Sequence, residues 1–176
     1  MKKAKHALTV RDMAVFSMLA ALMFGSKVIM EALPNIHLLG MFIMVYTRVY
    51  RMKALIPLYL FIFMTGLYGG FGLWWIPYLY IWAILWGATM LLPRRMPKWL
   101  CTIVYPAVCC LFGLLYGVLY APAQALLFGL DFKGMLAWIA AGLPFDLMHG
   151  IGNLFAGLLI LPLSELLLKL ERKQNL

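Results

Sequence analysis

Between Ala54 and Pro93 the chain carries no charged side chain, and Trp99 to Leu130 is a second stretch of the same kind. Segments this apolar on every face cannot form a water-facing surface and must be buried in protein or lipid. The rest of the composition agrees, with 65% of residues hydrophobic, 12% charged and a mean hydropathy of +0.93. That is the composition of a polytopic membrane protein, with nothing to suggest a separate soluble domain. At about 20 apolar residues per bilayer-spanning helix, the chain supplies roughly six spans joined by short loops. The predicted fold is therefore an all-α integral membrane protein, a single six-transmembrane-helix bundle over residues 1–176 with both termini cytoplasmic.

The formal charge of +9 raises the question of a nucleic-acid partner, but Lys and Arg fall in short clusters between apolar stretches and read as topology signals. Alternation of the segments places every Lys and Arg except Lys27 and Lys133 on one side: Lys2, Lys3, Lys5, Arg11, Arg48, Arg51, Lys53, Arg94, Arg95, Lys98, Lys169, Arg172 and Lys173. No nucleic-acid partner is expected. The basic start followed by an apolar run resembles a signal peptide, yet Arg11 and Asp12 interrupt it, the run is long, and no small-x-small cleavage site follows. It is expected to remain as a first helix. Cys101, Cys109 and Cys110 lie in one apolar segment without His or acidic neighbours at ligand spacing, so they are expected to pack as small hydrophobes.

Segment one runs from about Met13 to Ala32 and closes at Leu33-Pro34-Asn35, because the residue before proline is biased away from helix. Segment two, about His37 to Tyr50, is short for a span. Segment three covers about Ala54 to Tyr68, Pro77 opens segment four, which runs to about Leu92, and Pro93-Arg94-Arg95-Met96-Pro97-Lys98 is the clearest interhelical loop. Segment five runs from about Trp99 to Tyr120. Residues 121–134, with Gln124, Asp131 and Lys133, are expected to be a loop or an interfacial helix, and segment six to begin between Met135 and Pro144 and continue to about Leu170. There is no internal repeat.

Polar residues inside these segments fall at one depth. Counted from Lys169 at 1.5 Å per residue, Asp146, His149 and Asn153 lie roughly 35, 30 and 24 Å up, and their spacing puts them on one helix face. Counted from Arg11, Lys27 and Glu31 lie roughly 24 and 30 Å up. Ionisable groups at such depths face a bundle interior or a water-filled cavity, since facing lipid costs several kcal/mol. Two readings stay open: Lys27 and Glu31 form an i,i+4 pair while Asp146 and His149 cap a helix start at Pro144, or these groups border a cavity that also takes in Asn35 and His37. Trp75, Tyr78, Trp82 and Trp86 recur at helical spacing, beside Trp74, as an aromatic belt or as the walls of a pocket for a small flat molecule. The predicted ligand-binding set is Asp146, His149, Asn153, Asn35, His37, Glu31, Trp74, Trp75, Tyr78 and Gln124. Ser17, Ala21 and Gly25 form a smooth stripe on segment one that suits helix packing, within the bundle or against a separate subunit.

No phosphate-cradling glycine loop, HExxH or paired-cysteine motif is present. Ser17 and Ser164 fall toward the opposite side from His37 and His149. No catalytic residue, metal or cofactor is therefore predicted.

RDMAVFSMLAALMFGSK, EALPNIHLLG and the final PFDLMHGIGNLFAGLLILP, together with the size and the six-span plan, resemble the substrate-binding S component of an energy-coupling factor (ECF) transporter, over most of the chain. The resemblance implies a multi-pass subunit of a prokaryotic cell membrane that captures a vitamin or related micronutrient from outside. It implies a transmembrane coupling subunit docked on helix one, and two cytoplasmic ATPases that hydrolyse ATP. Ser17, Ala21 and Gly25 stand where the family has an alanine-rich AxxxA stripe, and Asp146, His149 and Asn153 match the substrate-facing side of its final helix. Pyridine-, pyrimidine-, pterin- and purine-like substrates all suit such groups. The competing expectations are a stand-alone transporter or channel acting as a homo-oligomer, and a membrane enzyme or assembly factor using Asp146 and His149.

Overall fold

A computed structural model describes residues 8–33 and 35–174. Lys2, Lys3 and Lys5 of the charge pattern, and Pro34 of the first turn, lie outside the described residues. The described residues are 85% helical, with no strand among them. Among the described residues eight α-helices follow in order: α1 Val10–Ile29, α2 Leu39–Tyr50, α3 Leu55–Gly69, α4 Tyr78–Leu91, α5 Lys98–Leu114, α6 Tyr116–Phe128, α7 Phe132–Gly157 and α8 Ile160–Gln174. Among the described residues four helical stretches are long and apolar enough to cross a membrane: Val10–Ala32, Leu39–Gly69, Lys98–Phe128 and Phe132–Gly157.

Local chemistry sets the ends. A capping box opens α1, where the Asp12 N–H donates to Thr9 Oγ1 at 3.0 Å and the Thr9 N–H donates back to Asp12 Oδ2 at 3.2 Å. The α2 helix ends at Arg51, whose φ of 55° no regular helix accommodates. Gly129, at φ 66°, closes α6 in the left-handed conformation that glycine adopts freely. Two residues later Asp131 caps α7 by accepting the Gly134 N–H at 2.7 Å.

The 121–144 region is where the structure departs most from the expected plan. It is helical almost throughout, α6 continuing to Phe128 and α7 starting at Phe132, so Pro144 lies inside a helix and opens nothing. Pro122 and Pro144 each remove one ladder hydrogen bond, and the helices continue past both. Of the two expectations for residues 121–134, a loop or an interfacial helix, the stretch is helical rather than a loop, apart from a three-residue link at 129–131 that holds Asp131. The expected fifth and sixth segments are each divided, at Leu115 and at Leu158-Leu159.

The shortness of α2 has a packing reason. Leu39 to Thr47 are all buried, and α2 packs against α4, α5, α7 and α8, so it is the central helix.

Contacts fix the directions. Lys53 Nζ lies 3.1 Å from Asp12 Oδ2 at the start of α1, and the Tyr68 hydroxyl near the end of α3 lies 3.4 Å from Glu31 Oε2 just beyond the end of α1. Thus α1 and α3 run parallel. The end of α2 meets the end of α8 where the Tyr50 hydroxyl donates to Glu171 Oε1 at 2.8 Å, whereas His37, just before α2, meets His149 of α7. Lys98 at the start of α5 pairs with Glu165 of α8 at 3.2 Å. One end of the bundle therefore gathers Arg11, Arg51, Lys53 and Lys98, and the other gathers Glu31, His37 and His149.

The tightest packing is between α5 and α7. A Cβ on Gly157 would stand 2.6 Å from Pro106 Cα, and one on Gly113 would stand 2.7 Å from the His149 carbonyl oxygen. Small residues let the two backbones touch, the usual way apolar helices associate in lipid.

Candidate functional site

Away from the basic end lie two adjoining hollows. The first, about 440 Å³, is lined by Asn35, Trp74, Tyr116, Tyr120, Gln124, Trp138, Asp146 and His149 among others. The second, about 390 Å³, is lined by Lys27, Glu31, Asn35, His37, Trp74, Tyr78, Tyr116, Tyr120 and His149 among others. Asn35, Trp74, Tyr116, Tyr120 and His149 border both.

At their junction two histidines meet. His37 Nε2 and His149 Nε2 are 3.0 Å apart, so one ring donates and the other accepts, and the bonded pair holds at least one neutral imidazole. The Nδ1 atoms of both are buried without a hydrogen-bond partner. When both rings are neutral, that arrangement leaves one free Nδ1–H donor and one free Nδ1 acceptor. Tyr116 packs against His149 with ring centroids 4.9 Å apart, and Trp82 meets His37 edge-on at 5.8 Å.

Asp146 sits one turn earlier on α7. Its Oδ1 accepts the Gly117 N–H at 2.9 Å, while Oδ2 is buried and unpartnered. Gly117 is the second residue of α6, so Asp146 does cap a helix start, but that of α6 rather than its own. A Cβ on Gly117 would fall 2.3 Å from Oδ2, so only glycine permits this approach.

Aromatic rings form a continuous wall. Trp74 meets Tyr78 at 5.5 Å, Tyr78 meets Trp82 at 5.6 Å, Trp82 meets Tyr116 at 5.7 Å, and Tyr120 stacks on Trp138 at 5.8 Å with an interplanar angle of 17°. The Tyr120 hydroxyl donates to the Trp74 carbonyl at 3.0 Å, which ties α6 to the turn before α4.

Eight of the ten predicted ligand-binding residues border these hollows: Asn35, Trp74, Gln124, Asp146 and His149 the first, and Glu31, His37 and Tyr78 the second. Two do not. Asn153 is buried against Gly40 and Gly113, where α2, α5 and α7 meet. Trp75 turns inward, its Nε1–H donating to the Ile62 carbonyl at 2.8 Å and its ring meeting Phe71 edge-on. Both follow from the polypeptide path: Trp75 precedes α4 in a short 3₁₀ turn, and Asn153 is one turn too deep. Lys27 and Glu31 form the i,i+4 pair at 2.9 Å and also border the second hollow, so the two readings of that pair hold together.

Tyr116, Tyr120 and Trp138 were not singled out in the sequence. Tyr116 and Tyr120 carry an i,i+4 signal that is legible, whereas Trp138 falls between Met135 and Pro144, the interval within which the sequence does not fix the start of segment six. Among the described residues no group of three or more His, Cys, Asp or Glu side chains is placed to hold a metal ion.

The small-residue stripe lies on the outside of the bundle. Ser17 and Ala21 are exposed, Gly25 is half-buried, and a Cβ at Gly25 would meet nothing within 4 Å.

Comparison with known proteins adds no relative: no family model, no curated protein and no solved structure matches the chain. Fold and site together define an all-helical arrangement of the described residues, with helices long and apolar enough to cross a membrane and an aromatic, sparsely polar hollow at one end.

Proposed function

We propose that this chain is a membrane-embedded substrate-binding subunit that captures a small, planar, water-soluble molecule in the joined hollows beside His37 and His149. The topology that goes with this function is six spans with both termini cytoplasmic, the arginine- and lysine-rich end inside and the hollows outside, in a prokaryotic cell membrane. The observation that carries it is the set of buried, partnerless polar atoms on residues that border the hollows: Asp146 Oδ2 and the Nδ1 atoms of His37 and His149. Each costs about 1–3 kcal/mol when left unsatisfied. A heteroaromatic ligand with donor and acceptor edges would satisfy them while Trp74, Tyr116 or Tyr120 packs on its ring.

The chain resembles an ECF S component, and the exposed Ser17-Ala21-Gly25 stripe supports a separate transmembrane coupling subunit docked there, driven by two cytoplasmic ATPases. Substrate then moves inward when that module reorients the subunit. The chain itself performs no chemistry.

The test is thermal unfolding of the purified chain against a panel of pyridine, pyrimidine, pterin and purine compounds. A ligand present at a hundred times its Kd adds about 2.7 kcal/mol of stability. The reading predicts that at least one class raises the midpoint and that His149→Ala removes the effect. No shift across the panel contradicts it, and uptake into liposomes holding this chain alone would favour the stand-alone transporter.

A further inference from the structure

At the end of the bundle opposite those hollows lies a third, of about 300 Å³, bordered by Arg48, Arg51 and Arg94 together with Thr89, Tyr105 and Leu168. The arginines arrive from three places, near the end of α2, the turn after it, and the loop between α4 and α5. As sequence they are topology signals, which needs only that they lie on one side of the membrane and not that they converge.

Their guanidinium groups are incompletely satisfied. Arg48 Nη1 and Arg51 Nε are buried without a hydrogen-bond partner, although Arg51 Nη2 donates to the Met90 carbonyl at 2.9 Å and Arg48 lies over the Tyr105 ring at 5.3 Å. These contacts hold the two side chains in place and leave donors unused. Among the described residues no carboxylate borders the hollow. The described acidic side chains at this end are engaged elsewhere: Asp12 with Lys53, Glu165 with Lys98, and Glu171 with Arg11 and Tyr50. Arg51 also occupies its left-handed φ of 55° with its carbonyl accepting from Trp86 Nε1 at 3.1 Å. A non-glycine residue persists there only where its surroundings hold it.

We propose that this hollow binds a phosphate group. Three guanidinium groups with free N–H donors and, among the described residues, no counter-charge match the several acceptor oxygens of a phosphate, which arginine meets in bidentate fashion. Leu92, Pro93 and Leu168 border the same hollow. An anionic phospholipid headgroup, whose glycerol and acyl carbons would meet these apolar side chains, and a free phosphate are the two sources of this chemistry.

The full-length chain in neutral detergent distinguishes them by its unfolding midpoint, titrated with phosphatidylglycerol, with phosphatidylcholine, and with inorganic phosphate against chloride at matched ionic strength. A rise with phosphatidylglycerol alone assigns the site to the lipid headgroup. A rise with inorganic phosphate beyond that with chloride assigns it to the phosphate itself. In either case Arg94→Gln, at an exposed position with no contact to lose, should raise the half-saturating concentration about tenfold, while Arg95→Gln, outside the lining, should leave it unchanged. Equal responses to phosphatidylglycerol and phosphatidylcholine with no phosphate effect, or equal losses in the two variants, would overturn the proposal, the latter by showing a diffuse surface field.

Discussion

Gly113→Ala tests whether the α5–α7 contact carries the site. The added methyl carbon would stand 2.7 Å from the His149 carbonyl oxygen, 2.8 Å from the Gly150 nitrogen and 2.8 Å from Asn153 Nδ2. Ordinary nonbonded contact lies near 3.5 Å, so the carbon intrudes by roughly 0.7 Å on three atoms at once. Two of them belong to the α7 backbone and cannot rotate aside, so the helices must separate where His149 is held. Overpacking of this kind costs about 1–3 kcal/mol. Gly87→Ala is the matched control, because its Cβ meets nothing within 4 Å and alanine gains up to about 1 kcal/mol in a helix interior. For a chain of this length 1 kcal/mol corresponds to about 2–4 °C, so the Gly113→Ala midpoint should lie about 2–12 °C below that of Gly87→Ala. The assay is thermal unfolding in one detergent, followed by tryptophan fluorescence. Equal midpoints would falsify the close backbone approach of α5 and α7.

Gly142→Leu places a side chain in the first hollow where a Cβ meets nothing within 4 Å, and should reduce ligand affinity at least about tenfold by titration while the ligand-free stability changes by less than about 1 kcal/mol. Asn153→Ala should do the reverse, costing about 1–3 kcal/mol in thermal unfolding and leaving affinity within about twofold, because Asn153 is buried between helices and borders neither hollow. Ala21→Trp, on the exposed stripe, should leave binding and midpoint unchanged and abolish ATP-driven uptake in cells; uptake at the wild-type rate would remove the stripe from docking.

Much of the architecture was legible because charge and hydropathy are coarse signals. The clusters around Arg11, Arg51 and Lys98 meet at one end, as their alternation along the chain implied, and Asp146 and His149 share a helix face because three residues span nearly one turn. The signal failed where polar residues do not mark an unstructured link. Gln124, Asp131 and Lys133 lie around a two-helix junction whose link is three residues long, and polarity alone neither separates a loop from a helix over residues 121–134 nor fixes the start of α7. Periodicity also overreached at Trp75, which has the spacing of the α4 face but precedes that helix. The convergence of Arg48, Arg51 and Arg94 was not legible at all, since only the folded turn at Arg51 brings them together.

Whether the hollows hold a small molecule is tested most directly by mass spectrometry of what the wild-type chain retains through purification, compared with Gly142→Leu. The account predicts a planar, ring-containing compound bound near one-to-one by the wild type and depleted in the variant. Recovery of nothing but detergent and lipid from the wild type, or of the same compound in equal amount from both, would contradict it.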